Sequence, residues 1–342
     1  MIKKKLFIFS NESIFTQDKK FYCENIDLKS SPEGLNKKYE VNLFGRKSSK
    51  KRAHQIKLKK TKIFSNIISY LSGVIRSVKV ENSKYIVISI SPYTFLICLL
   101  LKLLGKTPIV YLRSDGYGQY NAILGSLGKL IYHLMFSLTS FISNLISCRS
   151  YILRGRKGKV IRPSQLDSVW FKKPKIQDIK NFKLLYVGRI RVEKGIFSLA
   201  SLIKNKRNIS LTIIGAEKNS SYNLNQSNII ILHTQSNKAR LIKYYDDHNI
   251  FILPSYTEGY PMVLLEALAR RRPVIIFEDI KHVIGNKKGI FVAKRNFLNF
   301  FETLNHIKKN YKKIQKDMMK NKLPTHKEFI DEFARAIDDF KQ

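Results

Sequence analysis

Residues Ile250 to Val274 read IFILPSYTEGYPMVLLEALARRRPV. Four apolar residues suit a buried strand, and Pro254 ends it. Ser255 to Tyr260 form a loop, Pro261 stands at the first position of a helix, and Val274 begins another strand. Strand, loop, helix and strand in that order make the repeating unit of a parallel sheet covered by helices. The same alternation runs outward in both directions. Upstream lie Leu184 to Val187, Leu211 to Ile214 and Ile229 to Leu232; downstream lie Val274 to Phe277 and Gly289 to Val292. The first half is patterned alike, with candidate strands at Leu6 to Phe9, Glu40 to Phe44, Tyr85 to Ser89, Pro108 to Leu112, Asn144 to Ser147 and Lys159 to Arg162. A chain of 342 residues exceeds what one core fills, so the expectation is an α/β protein of two Rossmann-like, doubly wound domains. The first is expected over 1–170 and the second over 183–325. The segment FKKPKIQDIKNF at 171–182, with Pro174 and four lysines, is the expected linker. A last helix over 326–342, marked by Phe329, Phe333, Ile337 and Phe340, is expected to pack back toward the first domain.

A helix that begins at the carboxyl end of a parallel strand aims unpaired N–H groups at the crevice where such sheets bind ligands, and that end attracts phosphate. Gly259, Tyr260, Pro261 and Met262 occupy that place. Glu266 is the only charge from Gly259 to Ala269, on a helix otherwise nearly all apolar. A buried carboxylate needs a polar partner, so something must meet it. It lies five residues past Pro261, roughly 7.5 Å along the axis, about one ribose beyond a diphosphate on the helix end. A second constellation is VGRIRVEKGI at 187–196, where Gly188 turns the chain and Arg189 and Lys194 reach the same sheet edge. A third strand ends at Gly215 and Glu217 and completes the lip. Arg191 and Glu193 fit a solvated loop. The pattern suits a phosphate-plus-nucleoside pocket built without a metal motif.

The stretches VGRIRVEKG at 187–195 and LPSYTEGYPMVLLEALA at 253–269 resemble the retaining glycosyltransferases of family 4. The resemblance covers roughly 183–300. It implies the GT-B fold, with two facing Rossmann-like domains and an interdomain cleft, and transfer of a sugar from a nucleoside-diphosphate donor with retention of configuration. It further implies that Arg189 and Lys194 bind the diphosphate, that Glu258 faces the transferred sugar and that Glu266 holds the ribose. No metal or other cofactor is expected. The first domain departs from the family pattern. Ser10-Asn11-Glu12-Ser13 follows the first strand in place of a glycine-rich loop, and Arg113 to Gly118 (RSDGYG) replaces a loop histidine. Arg113 and Asp115 are the acceptor-side candidates by position, unless they only pair with each other.

Composition bounds the partners. Apolar residues make up 44% of the chain, with 21 Phe and 17 Tyr, enough for packed cores and too many for a disordered chain. Sixty-three Lys and Arg against 25 Asp and Glu give +38, which draws phosphate-rich partners. Nine basic residues and no acid lie between Arg46 and Lys62. This stretch is read either as a solvated loop or as a contact with an anionic membrane. No nucleic-acid module is recognisable, so nucleic acid is not an expected partner despite the charge. Three scattered cysteines form no disulfide or metal framework and suit a reducing compartment. The apolar stretches Tyr93 to Leu104 and Leu127 to Cys148 are interrupted by Lys102, Lys129 and His133, and are expected to be buried or membrane-touching rather than spanning. The expected enzyme acts in the cytoplasm, peripheral to the membrane, on a saccharide or lipid-linked acceptor of surface polysaccharide synthesis. The rival readings are another GT-B enzyme, such as an epimerase or phosphorylase, and a basic nucleic-acid-binding protein.

Overall fold

A computed structural model of the chain describes residues 3–175, 179–217, 222–224 and 226–340. It divides into two compact units, Met1–Pro163 with His326–Gln342, and Ser164–Thr325.

The first unit runs β1 (Lys5–Gln17), β2 (Lys20–Cys23), α1 (Ile26–Leu35), β3 (Glu40–Lys47), β4 (His54–Ile56), β5 (Lys60–Phe64), α2 (Ile67–Val78), β6 (Ser83–Ile88), α3 (Pro92–Leu103), β7 (Ile109–Leu112), α4 (Gly116–Ile142), β8 (Asn144–Ser147) and β9 (Lys159–Val160). Its parallel strands lie in the order β5-β3-β1-β6-β7-β8-β9, so the winding direction reverses between β1 and β6. Alternate side chains of β1 serve opposite faces, as period two requires. Leu6 and Ile8 enter the core that carries α1, whereas Phe7 and Phe9 join Phe44, Tyr70 and Tyr85 in an aromatic cluster. β1 does not end at Phe9. After a register shift it continues to Gln17 and pairs antiparallel with β2, and the polar Ser10 to Ser13 stretch lies inside the strand.

The basic stretch 46–62 also departs from a free loop. β4 pairs with β2, and β5 extends the parallel sheet beside β3. β5, KTKIF, buries Thr61 while Lys60 and Lys62 face outward, so its charges hide a strand pattern.

The second unit runs α5 (Ser168–Phe171), β10 (Phe182–Val187), α6 (Ile196–Leu202), β11 (Ile209–Ala216), β12 (Ile229–His233), α7 (Lys238–Asp247), β13 (Ile250–Leu253), α8 (Met262–Ala269), β14 (Val274–Phe277), β15 (Ile290–Ala293) and α9 (Phe297–Met318). All six strands are parallel, in the order β12-β11-β10-β13-β14-β15. This is the doubly wound order whose direction reverses between β10 and β13, where ligands bind beyond the strand ends.

The division corrects the expected boundary at 170. Trp170 is buried in the second core with its ring edge-on to Tyr245, 5.6 Å between centroids. The following backbone is clamped in the same unit. Buried Arg270 donates to the carbonyls of Trp170, Lys172 and Lys173 while pairing with Asp246, and Arg272 reaches the Lys175 carbonyl. Of the expected linker, residues 176–178 lie outside the described residues.

α10 (His326–Asp338) completes the first unit and buries Phe329, Ile330, Phe333 and Ile337 there. Lys84 of β6 donates to the carbonyls of Ile337, Asp338 and Phe340 at its end.

Candidate active site

At the reversal point of the second unit, β10 and β13 are neighbours in register, Leu184 beside Ile250. The loops that leave their carboxyl ends are therefore thrown together. After β10 the chain must pass within contact of the backbone after β13, and only glycine permits it. Gly195 has φ +67°, and a Cβ there would stand 1.9 Å from the Pro254 carbonyl oxygen. Gly215, with φ +140°, gives the same freedom at the end of β11, where a Cβ would meet the Gly188 carbonyl at 2.1 Å. The Tyr256 N–H donates to the Glu193 carbonyl at 3.0 Å, tying the two loops.

That closeness brings Lys194 and Glu258 together. The Lys194 ammonium lies 2.7 Å from Glu258 Oε1, which also accepts from Ser255 Oγ at 2.6 Å. Both side chains are largely buried, at 21% and 11% exposure. The family resemblance implies separate roles for them, one toward phosphate and one toward sugar, and the structure joins them in one ion pair. Arg189 is exposed, and among the described residues no carboxylate stands within ion-pair distance of its guanidinium. Arg191 and Glu193 form a loose surface pair at 3.9 Å.

α8 begins one residue later than expected. Pro261 is its cap, in an extended conformation, and Met262 is the first helical residue. Among the described residues no side chain caps this end, so the first N–H groups are open to a ligand or solvent, with the partial positive charge of the helix dipole behind them. Gly259 is buried and Tyr260 half-buried at the same edge. On the next turn Glu266 is buried at 8% exposure, and it has a polar partner in Tyr245 of α7, whose hydroxyl donates to Oε2 at 2.9 Å. Burial, reinforced by the Glu266 charge, pushes the Tyr245 phenol far above its ordinary range, so it stays a donor.

Three supporting groups gave no local signal in the sequence. Arg295 donates to the Pro254 and Ser255 carbonyls, pairs with Asp279 at 2.9 Å and stacks over Tyr256, 3.9 Å from its centroid. His282 Nε2 lies 2.8 Å from the Glu258 carbonyl oxygen, and Tyr186 donates to the Arg189 carbonyl at 2.9 Å. Each holds a loop backbone that carries a candidate side chain. Three acids of the second unit are already paired with cations, Asp246 with Arg270 and Arg272, Asp247 with Lys175 at 3.6 Å, and Asp279 with Arg295. Cys23 and Cys148 are buried and their thiols pushed up to about 12, unsuited to attack as thiolates.

In the first unit Arg113 and Asp115 do not pair with each other. Arg113 binds Glu12, and Asp115 lies 3.5 Å from Arg154. The Arg113 Nε and Nη1 atoms are buried without a hydrogen-bond partner. Glu12 stands where a glycine-rich loop was lacking, so that departure from the family pattern supplies the carboxylate that holds Arg113. A groove of about 290 Å³ runs along β1, β3 and β5 against α2, from Lys5, Glu40 and Lys60 to Phe44 and Phe64.

Residues 169–323 match the family described as Glycosyl transferases group 1. Over 131 residues the chain is 31% identical to the capsular polysaccharide biosynthesis glycosyltransferase CapM of Staphylococcus aureus, covering 34% of each. Over 114 residues it is 36% identical to a putative teichuronic acid biosynthesis glycosyltransferase, TuaC, of Bacillus subtilis, 33% of this chain and 28% of that one. The chain thus spans about a third of the length of these curated relatives. Among solved structures, sucrose-phosphate synthase of Thermosynechococcus elongatus aligns with TM-score 0.69 at 14% identity, covering 97% of this chain and 98% of the other. The lipopolysaccharide outer core galactosyltransferase WaaB aligns with TM-score 0.61 at 16% identity over 98% and 99%. Fold and sequence converge: the chain has the GT-B architecture of two Rossmann-like units, and its segment 169–323 is similar to the Glycosyl transferases group 1 family.

Proposed function

We propose that this chain is a glycosyltransferase that moves a sugar from a nucleoside-diphosphate donor to a saccharide or lipid-linked acceptor in surface polysaccharide synthesis. The observation that carries the reading is the meeting of Lys194, Glu258 and the uncapped end of α8 at one reversal point, with Glu266 one turn along the same helix. Cleavage of the donor bond leaves negative charge on the diphosphate, and Arg189, Lys194 and the α8 N–H groups stand where it would be stabilised. An ammonium has three donors, so Lys194 keeps Glu258 while taking a phosphate oxygen. Glu258, with one oxygen fixed by Lys194 and Ser255, orients the sugar, and Glu266, fixed by Tyr245, binds the ribose. Retention of configuration, and membership of family 4 in particular, rest on the resemblance of 187–195 and 253–269. Arg113 and Asp115 are proposed on the acceptor side. Because two cations and a helix end furnish the phosphate site, and Asp246 and Asp279 already hold arginines, turnover needs no metal ion.

The reading places the enzyme in the cytoplasm at an anionic membrane surface, where a lipid-linked acceptor is found, with no nucleic-acid partner. The named roles of CapM and TuaC in capsule and teichuronic acid synthesis support that class of acceptor. A thermal-shift panel of nucleotide sugars tests the donor, since any ligand bound only by the folded state raises the melting temperature. A rise with at least one nucleotide sugar, and turnover that survives EDTA, are expected. No shift across the panel, together with tight RNA binding, would replace the enzyme reading with the nucleic-acid one.

A further inference from the structure

The long apolar helix α4 is not one rod. At Gly125 (φ 60°, ψ −146°) it folds back, and a Cβ at Gly128 would stand 2.2 Å from the Tyr120 carbonyl oxygen. Tyr117 and Tyr120 of the short arm pack on Tyr132 of the long arm, and the Tyr117 hydroxyl lies 2.8 Å from His133 Nδ1. The long arm, 126–142, therefore reaches only about 25 Å, short of a membrane span. One of its faces is committed to the first unit, burying Gly128, Tyr132, Met135, Phe136 and Thr139.

The other apolar face is exposed. Leu127, Leu130, Leu134, Leu138 and Phe141 follow one another at three- and four-residue steps, which places them in one stripe, and Phe141 is 88% exposed. Ile123, 73% exposed, lies at the fold-back. α2, α3 and α4 cross the sheet in the same direction and pack side by side, and Ile68 of α2 and Leu103 of α3 are 78% and 84% exposed. These three helices carry only three charged residues, Arg76, Lys102 and Lys129, all positive and all exposed. A second copy would bring +38 against +38. An apolar face with a purely cationic fringe fits an anionic bilayer.

We infer that the α4 stripe is a lipid-insertion face, lying in the plane of an anionic membrane with Leu130, Leu134 and Phe141 in its apolar layer. This deepens the membrane-surface reading above and assigns attachment to α4, which the basic stretch 46–62 did not indicate.

The test is sedimentation of the full chain with vesicles of pure phosphatidylcholine, or with 30% phosphatidylglycerol, across a salt series, comparing wild type with Leu130→Gln/Leu134→Gln/Phe141→Gln and with Lys50→Gln/Lys51→Gln/Lys57→Gln/Lys59→Gln. The expected result is that wild type binds anionic vesicles and is partly retained at 1 M salt. The α4 variant should bind at least ten-fold more weakly and lose that retention, with nucleotide-sugar affinity in solution unchanged. In parallel, Phe141→Trp should be quenched by bromolipid vesicles. Equal vesicle binding by the α4 variant overturns the inference even if the lysine variant releases, which would leave attachment to the basic stretch. Concentration-dependent self-association lost in the α4 variant also overturns it, in favour of a second copy. Loss of nucleotide-sugar binding by wild type would strike the enzyme reading alone.

Discussion

Glu266 shows how far one residue carries. A lone acid in an apolar helix demanded a partner, and that demand was legible in the sequence. The partner was not, because Tyr245 lies 21 positions away on another helix and only the packing of α7 against α8 brings its hydroxyl within 2.9 Å. Tyr245→Phe removes a hydrogen bond to a charged group, about 1.5 to 3 kcal/mol. Nucleoside-diphosphate affinity measured by calorimetry should fall about ten-fold or more, while the circular dichroism spectrum is kept. Glu258→Ala should instead lower kcat with little change in donor affinity, since it sits with Lys194 where the sugar rather than the nucleoside is expected. Arg295 and His282 were illegible for a plain reason. Their bonds run to backbone carbonyls of a distant loop, which leave no trace in side-chain pattern.

Among elements, the strands of the second unit were readable because each is a short apolar run, with β13 and β14 buried on both faces as a parallel sheet requires and the edge strands β12 and β15 only partly covered. β5 and the far half of β1 were not, because exposed lysines and a polar SNES stretch mask strands whose hydrogen bonds, rather than hydrophobicity, define them. The loop contact at Gly195 gives an element-scale test. Gly195→Ala forces a side chain into a left-handed backbone and onto the Pro254 carbonyl, so the β10 and β13 loops must separate. Both the melting temperature and donor affinity should drop, whereas Gly105→Ala, also at positive φ but with open space around it, should affect stability alone. A pH effect belongs here too. His248 joins α7 to β11, with Nδ1 donating to the Tyr244 carbonyl at 2.7 Å and Nε2 2.8 Å from Thr212 Oγ1. Burial holds its pKa below the ordinary value, so the unfolded chain takes up the proton first. Stability should be full above about pH 6.5 and fall as pH drops below it. His248→Gln should flatten that part of a melting-temperature profile.

At the scale of the whole molecule, two doubly wound units were legible from alternation alone, and the division between them was not. Trp170 and the Arg270 clamp draw the start of the expected linker into the second unit through contacts made across 100 residues. Arg270→Met removes one side of a buried ion pair and releases three carbonyls, and should cost about 3 to 5 kcal/mol in urea unfolding of the full chain. The net charge of +38 spoke for phosphate-rich partners without choosing one, whereas the reversal point of the second sheet is specific. The most direct measurement is therefore titration calorimetry of a nucleoside diphosphate into wild type, Glu266→Ala, Arg189→Ala and, as a control on the same loop, Glu193→Ala. Affinity should fall roughly ten- to a hundred-fold in the first two variants and hold within two-fold in the control. Unchanged affinity in both Glu266→Ala and Arg189→Ala would mean that the donor does not bind at the β10 and β13 loops.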